Sequence, residues 1–223
     1  MTAALFFRAV LAYALGLVLM GGLIFWPAGT WYYPQGWLLM GTLFLPIFLL
    51  GLVLMIKSPA LLEKRLNHKE KQVEQSLVVK LSGLMFVVGF AAAGLDYRYQ
   101  WTMLPIGVSK AAAVVLLLSY LLYGQVMREN AFLSRTIEVQ QGQYVVDTGL
   151  YGVVRHPMYA ATVVLFLSMP LVLGSVVSLV VFLAYPVLIA KRIRNEEEVL
   201  EEGLEGYKEY KKKVKYKMIP FIW

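Results

Sequence analysis

The sequence predicts an all-α protein: a polytopic membrane helix bundle of about six transmembrane helices, closed by a C-terminal amphipathic cytoplasmic helix. Three observations carry this expectation. Of 223 residues, 59% are hydrophobic and only 16% charged, against about 25% charged and 45–50% apolar in an ordinary soluble domain. The apolar residues fall into runs of about 20, the length a helix needs to cross a hydrocarbon core about 30 Å thick. The basic residues collect in alternate connections between those runs. The net charge of +7 therefore points to orientation and contact with anionic lipid, and nucleic acid is not an expected partner.

The first expected span runs from Leu5 to Trp26, too long and without the small-residue cleavage pattern of a removed signal peptide. The second covers Gly36–Ile56, the third Leu77–Leu95 and the fourth Ile106–Met127; Met158–Ala190 holds two short crossings that turn at Pro170 and the Leu173-Gly174-Ser175 step. Lys57, Lys64, Arg65, Lys69, Lys71 and Lys80 follow the second span, Arg128, Arg135 and Arg155 follow the fourth, and nine more basic residues follow Ala190. The other connections are almost free of Lys and Arg, which places both termini and the candidate site on the cytoplasmic face, in a prokaryotic cytoplasmic membrane.

Trp26, Trp31, Tyr32, Tyr33 and Trp37 read as an interfacial aromatic belt, and Gly16, Gly21 and Gly22 as places where helices approach closely. The stretch from Lys57 to Ser76 reads as a short amphipathic helix with His68 solvated. The segment Thr136–Val146, centred on Gly142, reads as extended or hairpin-like. In the tail, Leu200, Leu204, Tyr207, Tyr210 and Val214 recur at helical spacing, and Lys208 to Lys217 is strongly basic, so this part reads as a lid on the inner leaflet.

With no cysteine and only two histidines, His68 and His156, disulfides, thiolate nucleophiles and a His-rich metal cluster are excluded and no metal site is expected. The candidate site is Asp147–Tyr159. Pro157 suits the first turn of a helix, where its missing N–H is not needed. Arg155 and His156 then stand at a helix N-terminus that favours an anion such as a carboxylate. The same residues also suit plain membrane anchoring, with Arg155 snorkelling to headgroups and Tyr151 and Tyr159 at the interface. A second cluster tips the reading toward a site: Arg192 and Glu196 share a helix face at the same membrane level, with Glu197 turned away by about a third of a turn.

Gly149-x-Tyr151, Arg155-His156-Pro157-x-Tyr159, Arg192-Ile193-x-x-Glu196-Glu197-x-x-Leu200, Gly206-Tyr207-x-x-Tyr210 and Ile219-Pro220 resemble, in order and spacing, the isoprenylcysteine carboxyl methyltransferase family and its phospholipid methyltransferase relatives. Leu150 departs from the proline that many relatives carry between the glycine and the tyrosine. The resemblance divides the chain into four N-terminal transmembrane helices (1–128) and a methyltransferase-like region (129–223) with a helical hairpin and lid. It implies S-adenosylmethionine as donor and S-adenosylhomocysteine as product. Gly149, Tyr151, Arg155, His156, Pro157, Tyr159, Glu196 and Glu197 are then the cofactor-binding candidates, and Arg192 and Glu197 the catalytic pair. The implied acceptor is lipophilic, first a prenylcysteine-like carboxylate, with a phospholipid amine or a thiol as alternatives. A sterol-reductase-like enzyme using a nicotinamide and a non-enzymatic transport or assembly protein remain as further readings. The oligomeric state is left open.

Overall fold

The computed structural model describes residues 3–57, 59–66, 73–133, 137 and 139–223. His68, Lys69, Lys71, Arg135 and Thr136 lie outside the described residues. The protein is an all-α polytopic membrane bundle. Its helices are α1 (Ala3–Ala28), α2 (Pro34–Lys57), α3 (Pro59–Leu66), α4 (Val73–Tyr99), α5 (Ile106–Glu129), α6 (Pro157–Val172), α7 (Val176–Phe182), α8 (Ala184–Gly203) and α9 (Tyr207–Lys213), with a 3-10 turn at Gly149–Gly152.

Five stretches are long and apolar enough to cross a membrane: α1, α2, Leu77–Tyr99 of α4, α5, and α7 with α8 read together as Val176–Gly203. The sixth expected crossing falls on α6, whose 16 residues span about 24 Å at 1.5 Å per residue, short of a hydrocarbon core. The α6–α7 turn sits at Leu173–Ser175 as expected, with Gly174 at φ +72°, but Pro170 lies inside α6. α7 and α8 part at Leu183. The cause is Pro186, which has no N–H to offer the carbonyl four residues earlier. The 28 residues of Val176–Gly203 outrun the hydrocarbon, so the last turns of α8, with Arg192, Glu196 and Glu197, emerge at the interface.

α5 lies along α6, and α4 packs against α1 and α7. The tightest approaches are not at Gly16, Gly21 or Gly22, where an added Cβ would meet nothing closer than 3.4 Å. They lie in α4: a Cβ on Gly94 would stand 2.4 Å from the Ile24 carbonyl oxygen of α1, whereas Gly83 faces open space. Gly94→Ala is therefore expected to lower the thermal unfolding temperature in detergent, by an overpacking term of about 1–3 kcal/mol, while Gly83→Ala leaves it unchanged or raises it.

The aromatic belt needs one correction. Trp26, Trp31, Tyr32 and Trp37 are exposed, but Tyr33 is fully buried. It stacks on Tyr97 with centroids 3.9 Å apart and donates a 2.6 Å hydrogen bond to the Leu173 carbonyl. α4 also runs past the expected end of the third span and carries Asp96 into the interior. There the carboxylate accepts from the Thr102 N–H at 2.7 Å and from the hydroxyls of Thr102 and Ser175. The Ser175 hydroxyl in turn caps α7 by accepting from the Ser178 N–H. This polar knot fixes the α6–α7 turn at the end of the bundle away from the candidate site.

α3 packs Leu62 against Leu5 and Ala9, as expected of a short amphipathic helix. Between α5 and the 3-10 turn the described chain is irregular, with a turn in which the Gln143 N–H bonds the Gln140 carbonyl around Gly142. The tail is not one amphipathic helix: α8 ends at Gly203, Gly206 adopts φ +81°, and α9 begins anew at Tyr207. Leu204, Tyr207, Tyr210 and Val214 bury together against Val139 and Val145 of the α5–α6 connection. That packing seats the tail over the N-terminus of α6.

Candidate active site

The entrance to α6 is shaped by glycine and the half-buried carboxylate of Glu129. Gly149 has φ +59°, and a Cβ there would collide with the Glu129 carboxylate at 2.6 Å, so only glycine fits. Glu129 accepts from the Leu150 N–H at 2.8 Å, while Gln125 holds its other oxygen at 2.9 Å. Leu150 thus supplies an N–H that a proline lacks. Two residues on, the Tyr151 carbonyl accepts from the Tyr210 hydroxyl at 2.7 Å, joining the 3-10 turn to α9.

Pro157 occupies the first turn of α6 with His156 as N-cap, the arrangement expected from the sequence. The groups just before it are engaged by the tail. The Arg155 and His156 N–H groups donate to the carbonyls of Tyr216 (2.9 Å) and Lys217 (2.7 Å). The Arg155 guanidinium donates through Nη1 to the carbonyls of Val214 (2.6 Å) and Lys215 (2.8 Å), and through Nε to Glu197 Oε1 (2.7 Å). Arg155 therefore binds the chain's own strap, residues 214–218, where the sequence suggested an external anion.

Glu197 is 3% exposed and stands among basic side chains. Besides Arg155, it faces His156 Nε2 at 3.2 Å, Lys217 Nζ at 3.3 Å and Lys211 Nζ at 3.7 Å. Its neighbour Glu196 points elsewhere, accepting from the Tyr159 hydroxyl, which itself accepts from Arg192 Nε at 3.0 Å. The His156 ring lies nearly parallel to Tyr159, with centroids 5.7 Å apart. Two adjacent glutamates thus have different main partners, because successive residues on a helix diverge by about 100°, with His156 between them, its Nδ1 4.0 Å from Glu196 and its Nε2 on Glu197.

Between these elements is a cavity of about 90 Å3. Tyr151, Arg155, His156, Tyr159 and Glu196 line it, together with Tyr207 and Tyr210 of α9 and Phe132 and Tyr144 of the α5–α6 connection. Gly149, Pro157, Arg192 and Glu197 do not line it; they stand behind it. Burial pushes the phenols of Tyr151, Tyr207 and Tyr210 above their ordinary range, so each remains a protonated donor at neutral pH. The Tyr207 hydroxyl, in a residue only 4% exposed, has no hydrogen-bond partner among the described residues. A buried hydroxyl left unpaired is unfavourable, and here it borders a cavity. In the sequence Tyr207 and Tyr210 belong to the apolar stripe of a lid and to one of the family-like motifs, but neither stands among the candidate site residues read from it.

The fold and site define a membrane bundle with an aromatic pocket, bordered by Arg155, His156 and Glu196, at the ends of two of its helices. Residues 111–202 match the model of the isoprenylcysteine carboxyl methyltransferase (ICMT) family, the family that the motifs resemble. The match begins within α5 and ends before Gly206 and the Ile219-Pro220 pair. The chain is also 27% identical over 159 residues to mouse (Mus musculus) Delta(14)-sterol reductase TM7SF2, a stretch covering 64% of this chain and 37% of the reductase. The chain thus spans well under half the length of that relative.

Proposed function

We propose that the protein is an integral membrane methyltransferase using S-adenosylmethionine on a lipophilic acceptor, first a carboxylate of prenylcysteine type. The observation that carries this reading is the cavity itself: tyrosine faces and the Glu196 carboxylate suit an ammonium and a sulfonium, and the unpaired Tyr207 hydroxyl suits a polar ligand atom. The bound donor would supply an electrophilic methyl group. Tyr159, Glu196, His156 and Tyr207 would hold the donor, while Arg192 positions Tyr159 from behind. The cavity of about 90 Å3 must widen to admit a nucleoside, and the α5–α6 connection and α9 are the walls free of the bundle. Closing them again would exclude water and align the reacting atoms.

The electrostatics favour a carboxylate acceptor. An amine must lose a proton, yet of the two candidate bases Glu197 is buried among Arg155, His156 and Lys217, and His156 is itself engaged with Glu197. A carboxylate is already ionised at neutral pH and needs no base. Room for its apolar part exists in a second cavity of about 690 Å3 between α1, α2, α3 and α5, lined by residues such as Phe48, Leu52 and Leu62. Tyr123 lies on its wall.

Calorimetric titration of the detergent-purified protein with S-adenosylhomocysteine tests the donor. Saturable binding that weakens in His156→Ala is expected, and absence of binding by folded wild type overturns the proposal. The likeness to a sterol reductase carries a second reading, for which NADPH would bind and S-adenosylhomocysteine would not. Radiolabelled transfer to prenylcysteine, lipid amines and thiols then ranks acceptors, with the prenylcysteine carboxylate expected first.

We place the site on the cytoplasmic side because of the alternating basic connections. The chain has no cysteine, so Gln141→Cys, in the exposed turn beside Gly142, gives a single reporter. It is expected to react with a membrane-impermeant thiol reagent only after cells are opened. Labelling in intact cells would reverse the orientation.

A further inference from the structure

Residues 218–223 form a closed hook whose tip is apolar and exposed. The N–H groups of Met218 and Ile219 both donate to the Trp223 carbonyl at 2.9 Å, and the Trp223 N–H returns a 3.0 Å bond to Ile219. Phe221, at φ +65°, and Ile222 are carried at the bend and are 85% and 78% exposed. The hook is not loose. Met218 is buried in the main core with Ile189 and Ile193 of α8, and Trp223 packs against the same cluster. This fixes the hook at the level where α8 leaves the hydrocarbon and α6 enters it, so Phe221 and Ile222 project at the membrane surface.

The side chains of the tail leading to the tip carry charge of one sign. From Lys211 to Trp223 the chain holds five lysines and no acidic residue. Lys212 and Lys215 are exposed, as are Lys191 and Arg194 on the neighbouring turns of α8. Two bulky apolar side chains flanked by cations at the interface match a bilayer surface bearing negative headgroups: the apolar pair enters the acyl boundary and the cations meet the phosphates. We propose that this hook is a docking surface for the anionic leaflet of the host membrane, and that docking seats the strap over the candidate site. The linkage is through neighbouring contacts. Lys217 lies over the Trp223 ring at 5.4 Å and reaches Glu197 at 3.3 Å, while the strap carbonyls hold Arg155. The seating half of the proposal rests on the donor-site reading above; the docking half does not.

The full chain carrying Phe221→Cys, labelled with an environment-sensitive fluorophore, is reconstituted into nanodiscs of phosphatidylcholine alone or with phosphatidylglycerol, containing a lipid quencher at shallow depth. Quenching is expected to be at least about twofold stronger with phosphatidylglycerol and to fall to the neutral-disc value in Lys212→Glu/Lys215→Glu. A label at the exposed Glu205, introduced as Glu205→Cys, is expected to stay unquenched. No quenching of the hook label, or equal quenching in both lipids, overturns docking. S-adenosylhomocysteine titration in the same unlabelled discs reads the seating: affinity is expected to be higher with phosphatidylglycerol and insensitive to lipid in the double reversal. Lipid-independent affinity overturns seating, and absence of binding in every disc points to failure of the donor reading while the quenching result still decides docking.

Discussion

Glu197→Ala is expected to destabilise the protein by about 3–5 kcal/mol, because removing one member of a buried ion cluster strands the others without compensation. Arg155, His156 and Lys217 all converge on this carboxylate, and Arg155 is itself 5% exposed. The guanidinium would keep its two strap carbonyls but lose its anion, so the loss should be largest at the strap. Thermal unfolding and limited proteolysis between Lys211 and Lys217 read this directly. Glu197→Gln should recover part of the loss, since an amide oxygen still accepts from Arg155 without the charge. A Glu197→Ala protein with wild-type melting and an intact, protected strap would refute this role of Glu197. On the proposed function the substitution would also abolish methyl transfer, through the fold of the site, and the relation between melting and activity would separate this from a chemical role: Glu197→Gln should lose activity in proportion to strap protection.

The second large effect is expected at Glu196. This carboxylate borders the cavity and is held by the Tyr159 hydroxyl. Glu196→Gln should weaken S-adenosylhomocysteine binding by about 10- to 100-fold, the scale of a charge-assisted hydrogen bond of 1.5–3 kcal/mol, with little change in melting temperature. Tyr159→Phe should give a smaller loss, because it frees Glu196 and Arg192 from a common partner while leaving the carboxylate charge in place. Unchanged affinity in Glu196→Gln would remove Glu196 from the donor site. The contrast between adjacent residues is the informative result: one substitution lowers stability, the other affinity.

Much of this arrangement can be read from residue order. Apolar run length locates the crossing helices, and Pro157 marks the start of α6 because proline tolerates the first turn. The meeting of the Arg155-His156 pair with Glu196-Glu197 follows once both sit at the same membrane level. Other features depend on contacts between distant residues, which periodicity does not encode. Tyr33 looks like its exposed aromatic neighbours until the Leu173 carbonyl claims its hydroxyl. Asp96 looks like a loop residue beyond a span, and becomes interior because Thr102 and Ser175 satisfy its carboxylate. The reversal at Gly206 hides inside an amphipathic pattern that continues on both sides of it. The different tasks of Glu196 and Glu197 emerge only when the strap takes its place on one face of α8.

The strap is gripped by its main chain: the partners of Arg155 and His156 are the carbonyls of residues 214–217. A grip of this kind is blind to side-chain identity but sensitive to spacing. The grip itself sets no requirement on the side chains of residues 215 and 216, whereas gaining or losing a single residue between α9 and Lys217 would shift every carbonyl out of register with its donor. In related chains this segment should vary in letters while keeping its length.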